Sequence, residues 1–278
     1  MNSFEYASPA TVDQAVKMLG KSWGEAEVLA GGTDLLTSLK QELTHPKRLV
    51  SLKKIPGLKG IQTSGDAVTV GAMTTLGEFT ANADVRKNFP ALVTAAENIG
   101  ASQIVNMGTV GGDLLQRPRC WYYRQGFGLF GMKDGKALVP SGDNRYHAIF
   151  MNEGPAQFVN PSSLAPGLIA LDASLTVAGA SGERTVSAAE FFKIPASESE
   201  REYALQPNEV LTSVVIPVKG LKNATYEIRP RRGLDWPMVT ASVSYAASGS
   251  SASDAREVLG HVAPVPYIAA KATDAPNG

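Results

Sequence analysis

The sequence predicts a fold that mixes helices and strands around an ample hydrophobic core. Short apolar runs that alternate like strands are interleaved with segments whose apolar residues recur at helical spacing. The chain has 278 residues, of which 44% are hydrophobic, enough for one large domain or two ordinary ones. Two glycine pairs, Gly31-Gly32 and Gly111-Gly112, each follow an apolar run and mark sharp turns of the backbone.

The first unit of alternating elements runs to Ile55-Pro56-Gly57, a turn signal that predicts a boundary. Thr11-Val-Asp-Gln14 predicts a capping box at the start of the first helix. The elements that follow are a strand at 27–30, a helix from a Thr33 cap to about Gln41 and a strand at 48–52. We expect the second helix to turn three leucines inward: Leu35, Leu36 and Leu39.

Beyond this boundary the periodicity continues, interrupted by one long irregular segment. That segment, 117–160, contains the aromatic and basic run RPRCWYYR, and loops of such length without periodicity are usually functional. The other elements predicted are strands at 67–72, 174–178, 209–216, 225–229 and 238–246, and helices at 76–81, 91–99, 163–171 and 187–192.

Composition excludes several classes of protein. The 26 acidic residues balance 26 basic ones, which argues against non-specific nucleic-acid binding. No apolar stretch is long enough to predict a membrane span. A single cysteine, Cys120, excludes an internal disulfide, and three scattered histidines (His45, His147 and His261) predict no metal site.

A threonine and an aspartate accompany each glycine pair, in VLAGGTDLL and in NMGTVGGDLLQ. Glycine lets the backbone approach a bulky ligand, and successive free N–H groups in a turn form a concavity that binds anions. Two such turns could hold the halves of a dinucleotide diphosphate, whereas a single glycine pair is more often an ordinary tight turn. No G-x-G-x-x-G opens a βαβ unit and no G-x-x-x-x-G-K-[ST] occurs, so Rossmann and P-loop interpretations lack support.

Seven ordered stretches carry motifs of one protein family: VLAGGTDLL (28–36), VGAMTTLGE (70–78), NMGTVGGDLLQRPRCWYYR (106–124), GDNRYHAIF (142–150), NPSSLAPGLIALDA (160–173), EVLTSVVIP (209–217) and RPRRGLDWPMV (229–239). Together they resemble the FAD-binding medium subunit of molybdenum hydroxylases, the group that includes xanthine dehydrogenase, carbon monoxide dehydrogenase and periplasmic aldehyde oxidoreductase. The resemblance covers nearly the whole chain.

The resemblance implies an α+β fold in which FAD lies between two subdomains of the vanillyl-alcohol-oxidase (PCMH) type. The FAD-binding domain would span residues 1–220, with subdomains at about 1–55 and 56–220. Residues 221–278 would begin a small α/β C-terminal domain of the carbon monoxide dehydrogenase flavoprotein type. We expect this last domain to be truncated, because the sequence fades into small residues at its end.

The resemblance also implies which residues surround the FAD. It places 28–35 along the diphosphate and ribityl chain, and the second glycine pair on the opposite wall. It places Ser163 and Trp236 near the isoalloxazine. The implied site residues are Val28, Leu29, Ala30, Gly31, Gly32, Thr33, Asp34, Leu35, Thr109, Gly111, Gly112, Asp113, Leu115, Ser163 and Trp236.

Three of these residues have two interpretations each. Asp34 and Asp113 either accept hydrogen bonds from ribityl or ribose hydroxyls or cap their turns. Trp236 either lies beside the isoalloxazine or is an ordinary core tryptophan.

The irregular segment departs from the family. Some relatives hold a [4Fe-4S] cluster there, and its borders RCWYYR and NRYHAIF are kept in this chain. Equal-length alignment places the relatives' cysteines at Leu129, Ala137 and Ala156, so that only Cys120 remains. Since a cubane normally takes four thiolates, we expect no iron–sulfur cluster here. Apolar side chains such as Leu129 and Phe130 should fill the space, and Cys120 should be a buried thiol.

Two further departures lie near the expected flavin ring. The family's His-Pro-Ser-Asp turn reads Asn160-Pro161-Ser162-Ser163, which replaces a flavin-contacting carboxylate by a hydroxyl. The lysine of a late strand aligns near Glu227, which reverses a charge. These changes affect the ring's surroundings more than the diphosphate site.

Three functions follow from these observations. The first is an electron-transfer flavoprotein subunit that relays electrons from [2Fe-2S] clusters to an external acceptor. The second is a structural subunit of the same complex with weak or lost FAD binding. The third, a free-standing flavin oxidase, has less support because no acid–base pair accompanies the flavin motifs.

The resemblance implies a [2Fe-2S] small subunit and a molybdopterin large subunit as partners. The run Arg117–Arg124 is a candidate contact with them, although its rings, Trp121 above all, could instead pack internally. The first residues show no secretory signal, so we expect a cytoplasmic location, or a periplasmic one if the chain is exported together with a partner subunit.

Overall fold

The structure, a computed structural model, describes residues 1–231, 234–249 and 251–274. Arg232 and Gly233 of the seventh family stretch, and residues 275–278 at the end of the sequence, lie outside the described residues. Three β-sheets follow one another along the described chain, with short helices and one two-stranded ribbon between them. The predicted mixture of helices and strands is therefore confirmed. Within the described ranges, no helix has the length and apolar character needed to cross a membrane.

The first sheet is parallel, with the strand order β1-β3-β2. Its unit consists of β1 (Glu5–Ala7), α1 (Val12–Met18), β2 (Ala26–Leu29), α2 (Leu35–Lys40) and β3 (Arg48–Ser51). The hydroxyl of Thr11 caps α1 by accepting the N–H of Gln14, as predicted. The Gln14 side chain accepts the N–H of Ala10 rather than that of Thr11, so only half of the predicted capping box forms.

The second sheet is antiparallel, with the order β4-β5-β10-β8-β9, and packs against most of the helices. Its unit consists of β4 (Ile61–Ser64), β5 (Ala67–Gly71), α3 (Leu76–Ala81), α4 (Ala83–Asn88), α5 (Pro90–Glu97), α6 (Ser102–Met107), α7 (Val110–Leu114), α8 (Trp121–Arg124), β6 (Met132–Lys133), β7 (Lys136–Ala137), α9 (Ala165–Ala170), β8 (Ser174–Gly179), β9 (Gly182–Ser187), α10 (Ala188–Phe191) and β10 (Val210–Pro217). The largest core cluster lies between this sheet and α3, α5 and α9.

The third sheet has the order β11-β12-β13-β14 and is antiparallel. Its elements are β11 (Lys222–Ile228), β12 (Val239–Ser248), β13 (Ser251–Gly260), β14 (Tyr267–Ile268) and α11 (Ala270–Asp274). One face of β12 turns small polar side chains, among them Ser242 and Ser244, into the interior, where Ser244 donates to the carbonyl of Ala170 at the end of α9. The sheets change near 55 and 220, but the division into domains stays a prediction.

Several predicted elements are confirmed and others were wrong. The helix at 76–81 is found as predicted because a complete capping box forms, in which Thr75 accepts the N–H of Glu78 and Glu78 accepts the N–H of Thr75. The second helix is not capped by Thr33: it begins after Asp34, and Leu36, predicted to face inward, is 41% exposed. The strand β13 was missed because its sequence, SASDAREVLG, lacks an apolar alternation.

The irregular segment is mostly without regular structure, as predicted. It contains only the single turn of α8 and the short ribbon β6–β7 among its described residues. A cluster of its own, built from Cys120, Leu129, Ala156 and Phe158, gives it a small hydrophobic centre. This centre is separate from the two larger core clusters, and polar contacts described below, together with stacking of Phe150 on Tyr267, join the segment to the rest of the chain.

Candidate functional site

The two glycine turns meet backbone to backbone. Gly31 follows β2, and a side chain on it would strike the carbonyl group of Met107, at the end of α6. Gly32 has a φ of +80°, a conformation that glycine adopts without strain. Glycine is therefore required here because two parts of the chain that are far apart in sequence pass at contact distance.

The first turn leaves its backbone donors free. The N–H groups of Gly31, Gly32, Thr33 and Asp34 make no hydrogen bond to any described residue. Four successive amides in a turn that contains a positive φ form the concavity that binds anions. An anionic ligand at this turn would satisfy donors that otherwise have only solvent as a partner.

The second turn uses its donors internally. The N–H of Gly111 donates to the Ala72 carbonyl at 2.9 Å, that of Gly112 to the Thr109 hydroxyl at 3.0 Å, and that of Asp113 to the Thr109 carbonyl at 2.9 Å. A side chain on Gly111 would lie 2.9 Å from Cβ of Ala72. Gly111 is glycine because α7 packs closely on the end of β5, so this turn offers a surface rather than a set of donors.

Two adjoining cavities meet between the turns. The larger has a volume of about 350 Å³, within the usual range for ligand pockets of about 300–1,000 Å³, and the smaller about 130 Å³. The residues that line both cavities are Thr33, Asp34, Thr109, Gly112 and Gln116. Two of the four residues with free amides, Thr33 and Asp34, therefore lie where the two cavities meet, which fits a dinucleotide whose diphosphate is central.

The cavities gather nearly all residues that the resemblance implies. The larger is lined by Val28, Ala30, Gly31, Gly32, Thr33, Asp34, Leu35, Thr109, Gly111, Gly112 and Leu115. Asp113, Ser163 and Trp236 line the smaller. Leu29 is not among the described residues that line either one.

Asp34 does not cap α2, so that interpretation was wrong: its side chain makes no capping hydrogen bond. Instead, Oδ1 of Asp34 lies 3.1 Å from the guanidinium of Arg119 and 2.9 Å from that of Arg124. Its Oδ2 accepts the N–H of Arg117 at 2.9 Å. Asp34 thus ties the irregular segment to the first glycine turn, and two cations surround its single charge.

Asp113 braces a turn from another part of the chain. It is 7% exposed and accepts the Ser162 hydroxyl at 2.5 Å, the N–H of Leu164 at 3.0 Å and the N–H of Ser163 at 3.3 Å. Burial raises the pKa of Asp113 above its ordinary value, while these hydrogen bonds act in the opposite direction. Because the carboxylate is enclosed by protein donors, it fixes the shape of the cavity wall at the start of α9.

The smaller cavity opens at an apolar rim. Trp236 lines it and is 41% exposed, so its interpretation as an ordinary core tryptophan was wrong. The guanidinium of Arg119 lies over the Trp236 ring, 4.6 Å from its centroid. Ser163, the residue that replaces the family carboxylate, is buried in the wall.

The charge reversal at Glu227 is compensated locally. The Glu227 side chain is 2% exposed and pairs with Arg229, whose Nη2 lies 2.7 Å from its Oε2. Arg229 also donates to the carbonyl of Asn98 and lines the smaller cavity. A cation therefore still borders this cavity, although it is not on the strand position where the family has its lysine.

The cluster around Cys120 fills the irregular segment with apolar side chains. Leu129 and Ala156, two positions aligned with cysteines of the relatives, pack with Cys120, and Phe130 packs against them, as predicted. Ala137, the third position, is exposed on β7 and lies outside the cluster. Cys120 is a buried thiol as predicted, and burial raises the pKa of its sulfur, which lies 3.1 Å from Nε2 of His147.

Sequence reasoning missed a set of buried ion pairs beside the larger cavity. Glu27 pairs with Arg201 at 2.8 Å and Arg117 with Glu202 at 3.2 Å. Burial raises the pKa of Glu27 to about 7. Glu27, a charged residue within the apolar strand β2, was the one sign in the sequence of a buried ion pair. Its partner, Arg201, is 174 residues away in the sequence and could not be identified from it.

Comparison with known proteins identifies the same family as the resemblance of the sequence motifs. A family described as the FAD binding domain in molybdopterin dehydrogenase matches residues 2–219. The carbon monoxide dehydrogenase medium chain of Hydrogenophaga pseudoflava is 29% identical over 94% of this chain and 75% of its own length. The aldehyde oxidoreductase FAD-binding subunit of Escherichia coli is 28% identical over 96% of this chain and 84% of its own length.

Solved structures of carbon monoxide dehydrogenases contain a chain with a similar fold. Carbon monoxide dehydrogenase of Hydrogenophaga pseudoflava, in a form that lacks the Mo-pyranopterin moiety, superposes with a TM-score of 0.74 at 28% identity, over 98% of this chain and 79% of that one. Reconstituted CO dehydrogenase from Oligotropha carboxidovorans gives a TM-score of 0.75 at 26% identity, over 99% of this chain and 80% of that one. The chain belongs to the family of FAD-binding domains of molybdopterin dehydrogenases.

Proposed function

We propose that this chain is the FAD-binding electron-transfer subunit of a multi-subunit molybdenum hydroxylase. In this role it relays electrons from the [2Fe-2S] clusters of a partner subunit to an external acceptor. The observation that carries the proposal is the row of four N–H groups, Gly31 to Asp34, that have no partner among the described residues and that line the larger cavity up to its junction with the smaller one. Bound FAD supplies the redox chemistry, since its ring accepts and releases both single electrons and electron pairs.

The diphosphate of FAD binds at the first turn in this proposal. Gly31 and Gly32 let the backbone come close, and the amides donate to the phosphate oxygens. The flavin ring takes the smaller cavity, beside Ser163 and Trp236, and the adenosine takes the larger one. This direction is favoured because the smaller cavity opens at an exposed rim, where Leu234 is 72% exposed, and a relay needs its ring near a partner.

The chain's own side chains hold this site rather than react with a substrate. The carboxylates that line the smaller cavity are Asp34, Asp113 and Asp235, and each is engaged in an ion pair or hydrogen bonds. A substrate oxidase would need a base free to take a proton at the ring. The arrangement therefore supports a relay over a free-standing oxidase.

The proposal extends to fold and assembly. We infer a two-subdomain FAD-binding fold of the vanillyl-alcohol-oxidase type, with subdomains at about 1–55 and 56–220 and a C-terminal domain from 221. We further infer a [2Fe-2S] small subunit and a molybdopterin large subunit as partners, since relatives are named as medium chains of dehydrogenases. The arginines of the run 117–124 face inward, with side chains 28% exposed or less, which disfavours them as the partner contact.

The visible spectrum of the purified chain tests the proposal. After incubation with excess FAD and removal of free flavin, we expect one FAD per chain, and reduction by a chemical reductant but not by aldehydes or purines. Absence of flavin absorbance after this treatment would contradict FAD binding and favour the structural subunit. Reduction by substrate in the chain alone would favour the free-standing oxidase.

A further inference from the structure

Arg119 and Arg124 share the same carboxylate but differ in how their remaining donors are used. Each nitrogen of the Arg124 guanidinium has a partner: besides Asp34 it donates to the Ser38 hydroxyl at 3.0 Å, the Pro118 carbonyl at 2.8 Å and the Arg117 carbonyl at 2.9 Å. Its side chain is 12% exposed. Arg124 therefore has a structural role, which is to hold the irregular segment against the first turn.

Arg119 is not saturated. Its Nη1 lies 3.1 Å from Asp34 and its Nη2 donates to Gln116 at 3.2 Å, but its buried Nε has no hydrogen-bond partner among the described residues. An unsatisfied buried donor is costly, so such groups usually have a partner when the protein functions. The side chain lines the smaller cavity beside the residues of the junction.

The carboxylate that pairs directly with Arg119 is also shared with a second arginine. Asp34 provides one negative charge to two guanidiniums, at 3.1 Å and 2.9 Å, next to four amides that have no hydrogen-bond partner among the described residues. Burial lowers the pKa of Arg119 and the neighbouring Arg124 acts in the same direction, whereas Asp34 and Asp113 act in the opposite one. A bound diphosphate would supply an acceptor for Nε and a further negative charge for the two guanidiniums.

We propose that Arg119 is a phosphate-binding residue of this site, which holds the phosphate nearest the ribityl chain while its guanidinium supports the Trp236 ring at the mouth of the flavin cavity. This inference rests on the proposed function. In this inference the irregular segment supplies one positive charge of the phosphate site, that of Arg119. The contacts of Asp34 with this segment then place the charge beside the first turn. Arg119 positions and binds the cofactor and takes no part in the chemistry of the ring.

The test measures FAD binding by the purified apoprotein through quenching of flavin fluorescence, at about 50 and about 500 mM sodium chloride. The variants are Arg119→Gln, which removes the charge, Arg119→Lys, which keeps it, and Arg231→Gln. The last is a matched control, because Arg231 is 81% exposed and pairs only with Asp235 in the described structure, near the same tryptophan.

We expect Arg119→Gln to weaken FAD binding about 10- to 100-fold at low salt, the loss typical of one charge-assisted bond. It should also reduce the salt dependence, since one charge no longer contributes. Arg119→Lys should lose less, about 3- to 10-fold, and Arg231→Gln less than about twofold. Asp34 keeps Arg124 as its partner in all three, so the fold should persist, and Arg119→Lys still tests the proposal if Arg119→Gln does not fold.

Two results would overturn the inference. In the first, Arg119→Gln binds FAD within about twofold of the parent. In the second, binding weakens but keeps the parent's salt dependence, which would mean that Arg119 acts only by packing on Trp236. If instead the parent protein binds no FAD at either salt concentration, the proposed function itself fails, which is a distinct outcome.

Discussion

After β2, the turn from Gly31 to Asp34 leaves four N–H groups without a partner among the described residues, whereas the turn from Thr109 to Asp113 directs N–H groups to Ala72, Thr74 and Thr109. Both have a Gly-Gly pair with a threonine and an aspartate. In the first, the aspartate binds arginines beside an open junction; in the second, it is buried and braces the start of α9. Residue types alone thus do not reveal whether a glycine turn binds a ligand or packs the fold.

Removing the brace of the second turn should have the largest effect. Asp113→Ala leaves the hydroxyl of Ser162 and the N–H of Leu164 without their acceptor, so we expect the free energy of unfolding to fall by about 3–5 kcal/mol. Asp113→Asn keeps one acceptor and should lose roughly half as much. Urea unfolding followed by circular dichroism measures both. A loss in Asp113→Ala below about 1 kcal/mol would show that the brace is not needed.

Side chains at the two glycines should separate binding from stability. Gly31→Ala strikes the Met107 carbonyl and forces the turns apart, so FAD affinity should fall by at least about tenfold. Gly111→Ala instead meets Ala72, and we expect it to lower the free energy of unfolding by about 1–3 kcal/mol while the folded fraction still binds FAD. Fluorescence titration and thermal unfolding of each variant make the comparison. Our view of the turns would be contradicted if Gly111→Ala lost FAD affinity while Gly31→Ala bound FAD normally and lost only stability.

A smaller effect should follow from untying the irregular segment. Asp34→Asn weakens the hold on Arg124, which directly follows the tyrosines after Cys120, so the segment should open more often. Alkylation of Cys120 by iodoacetamide should then be faster by about tenfold than in the parent, where the thiol is buried and its pKa is raised. Asp143→Asn, which breaks the exposed pair with Arg145, serves as control. Equal rates of Cys120 alkylation in the parent and in Asp34→Asn would show that Asp34 does not hold the segment closed.

Much of the fold could be predicted from local pattern. The helix at 76–81 and the strands near 48–52 and 67–72 follow from caps and alternation within a few residues. The same holds for the position of the glycine turns. What local pattern could not reveal is where their backbone groups point, because Met107 and Ala72, which decide it, lie in other parts of the chain.

The sequence predicted which residues lie around the candidate site better than it predicted what each of them does there. Asp34 was expected to cap its own turn or bind FAD hydroxyls, yet its partners lie 83 to 90 residues further along the chain. Arg119 was predicted only as part of a run that contacts a partner or packs its rings internally, since nothing in RPRCWYYR indicates that the arginines turn inward. Long-range ion pairs of this kind depend on the packing of the irregular segment, which has no periodicity to guide a prediction.

Amide hydrogen exchange of the two turns, followed by NMR with and without FAD, tests the central claim most directly. Without FAD, we expect the N–H groups of Gly31 to Asp34 to exchange rapidly and those of Gly111 to Asp113 to be protected by their internal hydrogen bonds. With FAD, exchange at Gly31 to Asp34 should slow by at least about tenfold, with little change at the second turn. Unchanged exchange at Gly31 to Asp34 when FAD is bound would contradict the account, as would a gain of protection confined to Gly111 to Asp113.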